Sequence, residues 1–219
     1  MSLWAIVPVK PLKIGKSRLT NALSDSERFN LNTLLFQNTL NVLQKVDQIS
    51  NILVVSRDSD VLAYSRSIGV RTVQENGIPE LNDALRRASI FSQMFGATSV
   101  LIVPADLPLL EAKDIYSVIN NASEPPCGVI VPDRRREGTN TILISPPDII
   151  PFSFGIDSFS THCMLFQNAH ANLKVLDLES IALDLDTPED LTFLENNYKM
   201  INFQGYQQID LTRNKGENK

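Results

Sequence analysis

The sequence predicts an α/β fold with a mixed, mostly parallel sheet flanked by helices. Three observations carry that reading. Short apolar, β-branched runs recur at Trp4–Val9, Asn51–Ser56, Ser99–Val103 and Gly128–Val131, each ended by a turn signal. Capped helical stretches lie between most of them. The connections are short, the rhythm of units that place helices on both faces of a sheet. At 219 residues, 43% of them hydrophobic, the chain is long enough for one domain with a sizeable core.

Taken in order, Trp4–Val9 is the first strand, and the loop after it holds Lys10, Lys13, Lys16 and Arg18 with Pro11 and Gly15 between them. Ser24 and Glu27 form a capping-box pair. The helix they open runs to about Val46 and sets Leu31, Leu34, Leu35, Thr39, Val42 and Val46 near one face. Asn51–Ser56 is the second strand. A short helix from Asp60 to about Ile68 is closed by Gly69, and Arg71–Val73 is the third strand. A helix from about Pro79 to Phe95 stops at Gly96.

Ser99–Val103, the most apolar strand, runs into Pro104-Ala105-Asp106-Leu107-Pro108-Leu109. A helix from Glu111 to about Asn120, a turn at Pro125-Pro126, a strand at Gly128–Val131, a charged loop at Asp133–Gly138 and a strand at Asn140–Ser145 follow. Pro146–Gly155 is irregular, Ser158–Ala169 helical and Leu173–Leu176 a strand. Ile181–Asp186 reads as extended and acidic. Thr187 as N-cap and Pro188 at the first helical position start a last helix ending near Lys199. Residues 1–201 form one domain, and the polar stretch 202–219 reads as an extension or partner contact.

Composition narrows the function. A net charge of −5 argues against a nucleic-acid backbone as partner. Cys127 and Cys163, the only cysteines, have no metal-ligand spacing and read as free thiols in a reducing compartment. No apolar run approaches the roughly 20 residues needed to span a bilayer, and no signal peptide precedes the first strand. A cytoplasmic protein without a membrane partner is expected.

Against that acidic background the Lys10–Arg18 loop stands out. A cationic loop directly after a first buried strand is where α/β proteins hold phosphates. Gly15-Lys16-Ser17 gives the end of a Walker A loop, but Lys10 stands where its first glycine belongs. The loop therefore reads as gripping a polyphosphate with side-chain cations more than with a glycine nest, the plain alternative being a solvated basic turn. Asp106, at the end of a buried strand, suits a hard cation, though turn aspartates also occupy such places. In Asp184-Leu185-Asp186 the alternation of an extended segment puts both carboxylates on one face, where they repel unless a cation lies between them. Asp186 also has a plainer use at the following helix N-terminus.

Two glycine turns offer anion contacts: Glu137-Gly138-Thr139-Asn140-Thr141, and Phe154-Gly155-Ile156-Asp157-Ser158-Phe159, followed by His162 as a site-lining residue. Capping by Asp157 or Ser158 explains the second turn equally well. A cationic loop, a hard-cation site and two anion-binding turns near strand ends suit nucleotidyl transfer. That reaction needs charge neutralisation and in-line positioning rather than a covalent intermediate.

The ordered segments VPVKPLKIGKSRL, Leu81–Leu85, PADLPLL, GTN, FGIDSF–TH and DLDTPEDL resemble the 2-phospholactate/phosphoenolpyruvate guanylyltransferase (CofC-like) family of coenzyme F-420 biosynthesis, over about residues 3–196. The resemblance implies a nucleotide-diphospho-sugar-transferase-like (GT-A type, Rossmann-related) fold. The implied Mg²⁺-dependent reaction joins the GMP part of GTP to the phosphate of a small phosphorylated C3 acid, releasing pyrophosphate. It implies that Lys10, Lys16 and Arg18 hold the triphosphate, with Asp106 in the catalytic set. Leu81, Asn82 and Pro104 would line the nucleoside pocket, and Asp106 and Asp184, with Asp186 nearby, would carry Mg²⁺. Thr139 or Thr141, with Gly155 and Ser158, would bind the acid. A homodimer and a downstream transferase accepting the product are implied as partners. Two departures from the family pattern are Glu80, where glycine is usual, and Glu137-Gly138 in place of a double glycine. Phosphoenolpyruvate is the favoured acid, beside 2-phospholactate and 3-phosphoglycerate. Competing readings are a molybdopterin guanylyl- or cytidylyltransferase of the same fold and a non-catalytic GTP sensor.

Overall fold

The computed structural model describes residues 2–197. Strand β1 (Leu3–Val9) is followed by a 3-10 turn at Ser17–Leu19, α1 (Asp25–Gln44), β2 (Ile49–Ser56), α2 (Ser59–Ser67), β3 (Arg71–Gln74), α3 (Leu81–Met94), β4 (Ser99–Ile102) and α4 (Ala112–Asn120). Then come β5 (Cys127–Pro132), β6 (Thr139–Ser145), α5 (Ser158–Asn168), β7 (Asn172–Val175), the single turn α6 (Glu179–Ala182) and α7 (Pro188–Asn197). One seven-stranded sheet has the order β3-β2-β1-β4-β6-β5-β7. Its pairs are parallel except where β6 meets β4 and β5. The connection 133–138 between β5 and β6 is too short for a crossover, so the chain turns straight back beside itself.

Alternation along the strands divides the core. Leu3, Ala5, Val7, Leu101 and Val103 face Phe36, Leu40 and Leu43 of α1 and Ile115 and Val118 of α4. Trp4, Ile6, Val100 and Ile102 face Ala84, Leu85 and Ala88 of α3 and Phe166 of α5. Phe166 lies so close to β5 that a Cβ on Gly128 would sit 2.1 Å from the ring, so only glycine fits there. A third cluster joins Leu19, Leu31 and Leu35 to Leu183, Leu185, Leu191 and Leu194, tying the loop after β1 and the approach to α7 to one patch of α1.

Chain order fixes where a ligand can enter. From β1 the chain winds outward through β2 and β3, then crosses to β4 on the other side of β1. A crevice opens beyond the carboxyl ends of β1 and β4 at such a reversal. The Lys10–Arg18 loop and Pro104–Asp106 leave from those two ends.

Local expectations are met in type and order, with several ends shifted: α1 stops at Gln44 rather than Val46, α3 spans Leu81–Met94 rather than about Pro79–Phe95, β6 begins at Thr139 rather than Asn140, and β7 spans Asn172–Val175 rather than Leu173–Leu176. The Ser24/Glu27 capping box is present. The α2 cap is Asp58, whose carboxylate accepts from Asp60 N, rather than a start at Asp60. The Ile181–Asp186 stretch is extended only from Leu183, because Glu179–Ala182 closes a helical turn. Asn168, not Ala169, ends α5. Lys199, the end expected for the last helix, and the 202–219 extension lie outside the described residues. Among the described residues no helix is long and apolar enough to cross a membrane.

Candidate active site

The loop after β1 is held by α1, by the α2 cap and by its own turn. Leu12 N–H donates to Asp58 (3.0 Å) and Leu12 C=O accepts from Asn32 (2.8 Å). Ile14 and Gly15 N–H both go to Pro11 C=O. These three amides are taken up by the protein itself. Lys10, Lys13 and Arg18 are exposed. Lys16 sits in the left-handed region (φ 56°) with its side chain only 5% exposed, donating to Leu185 C=O and to Asp186 (3.3 Å).

Those contacts bring the carboxylates in. Leu183 and Leu185 are buried in the third cluster, so the alternating Asp184 and Asp186 share the opposite face. Leu185 N–H donates to Asp106 C=O (3.0 Å), joining this segment to the end of β4. Asp106 Oδ1 is buried with no hydrogen-bond partner. Burial raises the Asp106 carboxyl above its usual range, the Lys16 charge opposes that, Asp186 adds to it and Lys10 opposes it. Asp184 is pushed to about 6, first by burial, then by the charges of Asp106 and Asp186. Lys10, Lys16, Asp106, Asp184 and Asp186 therefore form one electrostatic unit. Among the described residues no three His, Cys, Asp or Glu side chains form a closed metal cage. Mg²⁺ with a nucleotide asks for less, one or two carboxylates plus phosphate oxygens. The partnerless buried oxygen of Asp106 beside a second carboxylate fits that donor set.

The opposite wall is built around a β-bulge. Val131 pairs with Thr141 and Pro132 with Thr139, so Asn140 is the extra residue, a device that re-aims side chains. Asn140 Nδ2 donates to Ile181 C=O (2.8 Å) and reaches Asp184 (3.5 Å). Thr139 instead turns to α5: its N–H donates to Ser158 Oγ and its Oγ1 lies 2.9 Å from His162 Nδ1. Thr141 is fully buried with a partnerless hydroxyl. The fold thus joins Thr139, and not Thr141, to Ser158.

The start of α5 corrects one expectation. Ser158 N–H goes to Gly155 C=O and Phe159 N–H to Glu137 C=O, so these amides serve the protein rather than an anion. Asp157 caps with a left-handed backbone and no side-chain bond. Gly155 is also left-handed (φ 131°), with open space around it. The Ser158 and Phe159 amides are thus not available to an anion here.

At α3, Glu80 is the cap, accepting from Asn82 N and Asp83 N; the residue that departs from the family pattern fastens the helix start. Asn82 clasps the Phe154 backbone, donating to its C=O (3.1 Å) and accepting from its N–H (2.7 Å). Leu81 is exposed and Pro104 half-buried at the crevice edge.

A second clasp was not anticipated. Arg134 N–H donates to Ala182 C=O, and its guanidinium pairs with Asp190 (2.9 Å) while lying over Phe193 (4.2 Å). Asp190 Oδ2 accepts from Asp186 N, Thr187 N and Thr187 Oγ1. The charged 133–138 loop thereby fixes the segment carrying Asp184 and Asp186. The Thr187–Asp190 spacing signals the cap; nothing local in the sequence signals Arg134 as its partner.

Comparison with known proteins bears on the family and the fold. Residues 3–202 match the family model described as "Guanylyl transferase CofC like". The phosphoenolpyruvate guanylyltransferase of Rubrobacter xylanophilus is 38% identical over 195 residues, covering 89% of this chain and 94% of the relative. The 2-phospho-L-lactate guanylyltransferase of Methanothermobacter thermautotrophicus is 32% identical over 191 residues, covering 87% and 83%. A crystal structure of a Desulfovibrio desulfuricans protein described as a nucleotide-diphospho-sugar transferase superposes with a TM-score of 0.71 at 19% identity, covering 90% of this chain and 89% of that one. At that identity the likeness speaks for the fold.

Proposed function

The chain belongs to the CofC-like guanylyl transferase family, and from that premise we propose that it transfers GMP from GTP to the phosphate of phosphoenolpyruvate, or of the closely similar 2-phospho-L-lactate. The family's known role places the reaction in coenzyme F-420 biosynthesis. The single observation that carries the reading is the electrostatic unit of Lys10, Lys16, Asp106, Asp184 and Asp186 at the β1/β4 crevice. Phosphoenolpyruvate is preferred because the Rubrobacter relative, at 38% identity, carries that name.

In this reaction a phosphate oxygen of the acid, ionised at neutral pH, attacks the α-phosphorus of GTP. The bond from that phosphorus to the bridging oxygen breaks, and pyrophosphate leaves with the electron pair. No side chain need remove a proton, so His162 is not required as a base. Lys10 and Arg18 meet the triphosphate from the exposed loop, and Lys16 neutralises carboxylate and phosphate together. Asp106 and Asp184, with Asp186 nearby, would hold Mg²⁺, which when bound supplies further charge neutralisation. Leu81 and Pro104 border the nucleoside, with Asn82 acting through Phe154. Thr139, Ser158 and Gly155 receive the acid. The proposal extends, on family resemblance alone, to a homodimer and a downstream transferase.

The test is pyrophosphate release with GTP and Mg²⁺, run with phosphoenolpyruvate, 2-phospholactate and 3-phosphoglycerate, and with CTP and ATP as controls. Turnover with GTP and one of the first two acids is expected. Turnover with CTP in place of GTP, or GTP binding without pyrophosphate release, overturns the proposal.

A further inference from the structure

His162 is fully buried where β6, α5 and the 149–157 loop meet. Its two ring nitrogens have different partners. Nε2 lies 3.1 Å from Ser153 N, a backbone donor, so Nε2 must accept and carries no hydrogen. In the neutral ring the hydrogen is then on Nδ1, 2.9 Å from Thr139 Oγ1, and the ring donates to that hydroxyl. Thr139 Oγ1 is an acceptor here, and its own hydrogen points elsewhere. Ser158 Oγ is likewise an acceptor, from Thr139 N. Among the described residues neither hydroxyl hydrogen has a protein acceptor.

The frame around the ring is fixed from outside. Ser153 precedes Phe154, whose backbone Asn82 clasps at both its N–H and its C=O. The Phe154 ring meets the imidazole edge-on at 5.0 Å. Ser153 N–H is therefore held by α3 through Phe154, and it sets the tautomer of His162.

We propose that His162 is a positioning residue: by donating to Thr139 it turns the Thr139 hydroxyl hydrogen, with that of Ser158 beside it, toward the anionic acid acceptor. This rests on the acid site assigned above. A pair of hydroxyl donors with no internal acceptor suits a carboxylate or phosphate oxygen, which only accepts. Burial holds the ring neutral, lowering its pKa to about 4, so the arrangement persists across the neutral range.

The test is a double-mutant cycle read as KM for the acid against KM for GTP. His162→Phe keeps a ring without the donor; it is expected to raise the acid KM about tenfold or more and to leave the GTP KM within about twofold. In a Thr139→Val background the same change should have no further effect, because its target hydroxyl is gone. His162→Asn carries an amide donor to the Nδ1 position and should restore most of the acid KM; His162→Gln, reaching the Nε2 position, should not. Should His162→Phe fail to fold, the Asn/Gln pair makes the same distinction. The ¹⁵N shifts of wild-type His162 give a reading independent of activity: Nδ1 protonated and Nε2 bare. The opposite tautomer, equal rises in both KM values, or additive effects with Thr139→Val overturn the inference. A wild-type protein inactive with GTP and all three acids instead sinks the acid site itself, and this inference with it.

Discussion

Asp106 carries a buried carboxylate oxygen with no hydrogen-bond partner, beside the charges of Asp184 and Asp186. Such an arrangement costs folding free energy and persists where function requires it. Asp106→Asn removes the charge at nearly constant volume. We expect opposite effects: a higher melting temperature in chelator, and turnover lowered by ~100-fold or more, the scale of losing one preorganised electrostatic contact. Differential scanning calorimetry and pyrophosphate release check the two halves, and a variant with undiminished turnover would remove Asp106 from the reaction. At this scale the strand-end acids and the cationic loop were legible, because their positions follow from where strands stop. The choice between Thr139 and Thr141 was not, because the bulge at Asn140 breaks the period-two alternation on which such a choice depends.

The turn into α7 is an element whose geometry is imposed from elsewhere. Leu183 and Leu185 anchor it in the core while Asp190 gathers Asp186 N, both Thr187 donors and the Arg134 guanidinium. Asp190→Ala leaves those part-buried donors without their acceptor, a loss of about 1–3 kcal/mol. The carboxylate segment should loosen with it, so the Mg²⁺ concentration giving half-maximal rate should rise severalfold while the KM for the acid holds. Urea unfolding and a Mg²⁺ titration measure both; an unchanged Mg²⁺ requirement would mean that the clasp supports the fold alone. The cap could be read from Thr187 and Asp190. Its pairing with Arg134 spans 56 residues, a separation that local pattern does not reach.

For the molecule as a whole, His162 ties global stability to pH. Its folded-state pKa lies near 4, against an ordinary 6.5, because burial disfavours the charged ring. Between those values the unfolded chain binds the proton that the folded one refuses, so the His162 contribution is full above about pH 6.5, falls as pH drops and levels off below about pH 4; Asp184, raised to about 6, and Asp106, also raised, favour the folded state as pH falls and oppose it. The shift corresponds to about 3 kcal/mol. Urea denaturation of the wild type and His162→Asn from pH 4 to 7 isolates the His162 part: the stability difference between the two should fall by about 3 kcal/mol from pH 7 to pH 4, and a difference independent of pH would assign the acid sensitivity to other groups.

The sequence by itself determined the α/β class, the placement of most elements, the helix caps at Ser24 and Thr187, and the grouping of cations and carboxylates at strand ends. All of these follow from local periodicity and from which residues satisfy helix ends. Only the tertiary structure decided that β6 runs antiparallel, that Asn82 holds a backbone rather than standing free, that Lys16 folds onto Asp186, and that His162 and Arg134 have specific partners. Each of these depends on contacts between segments distant in sequence, which form where the packed sheet happens to bring donors and acceptors within about 3 Å of one another.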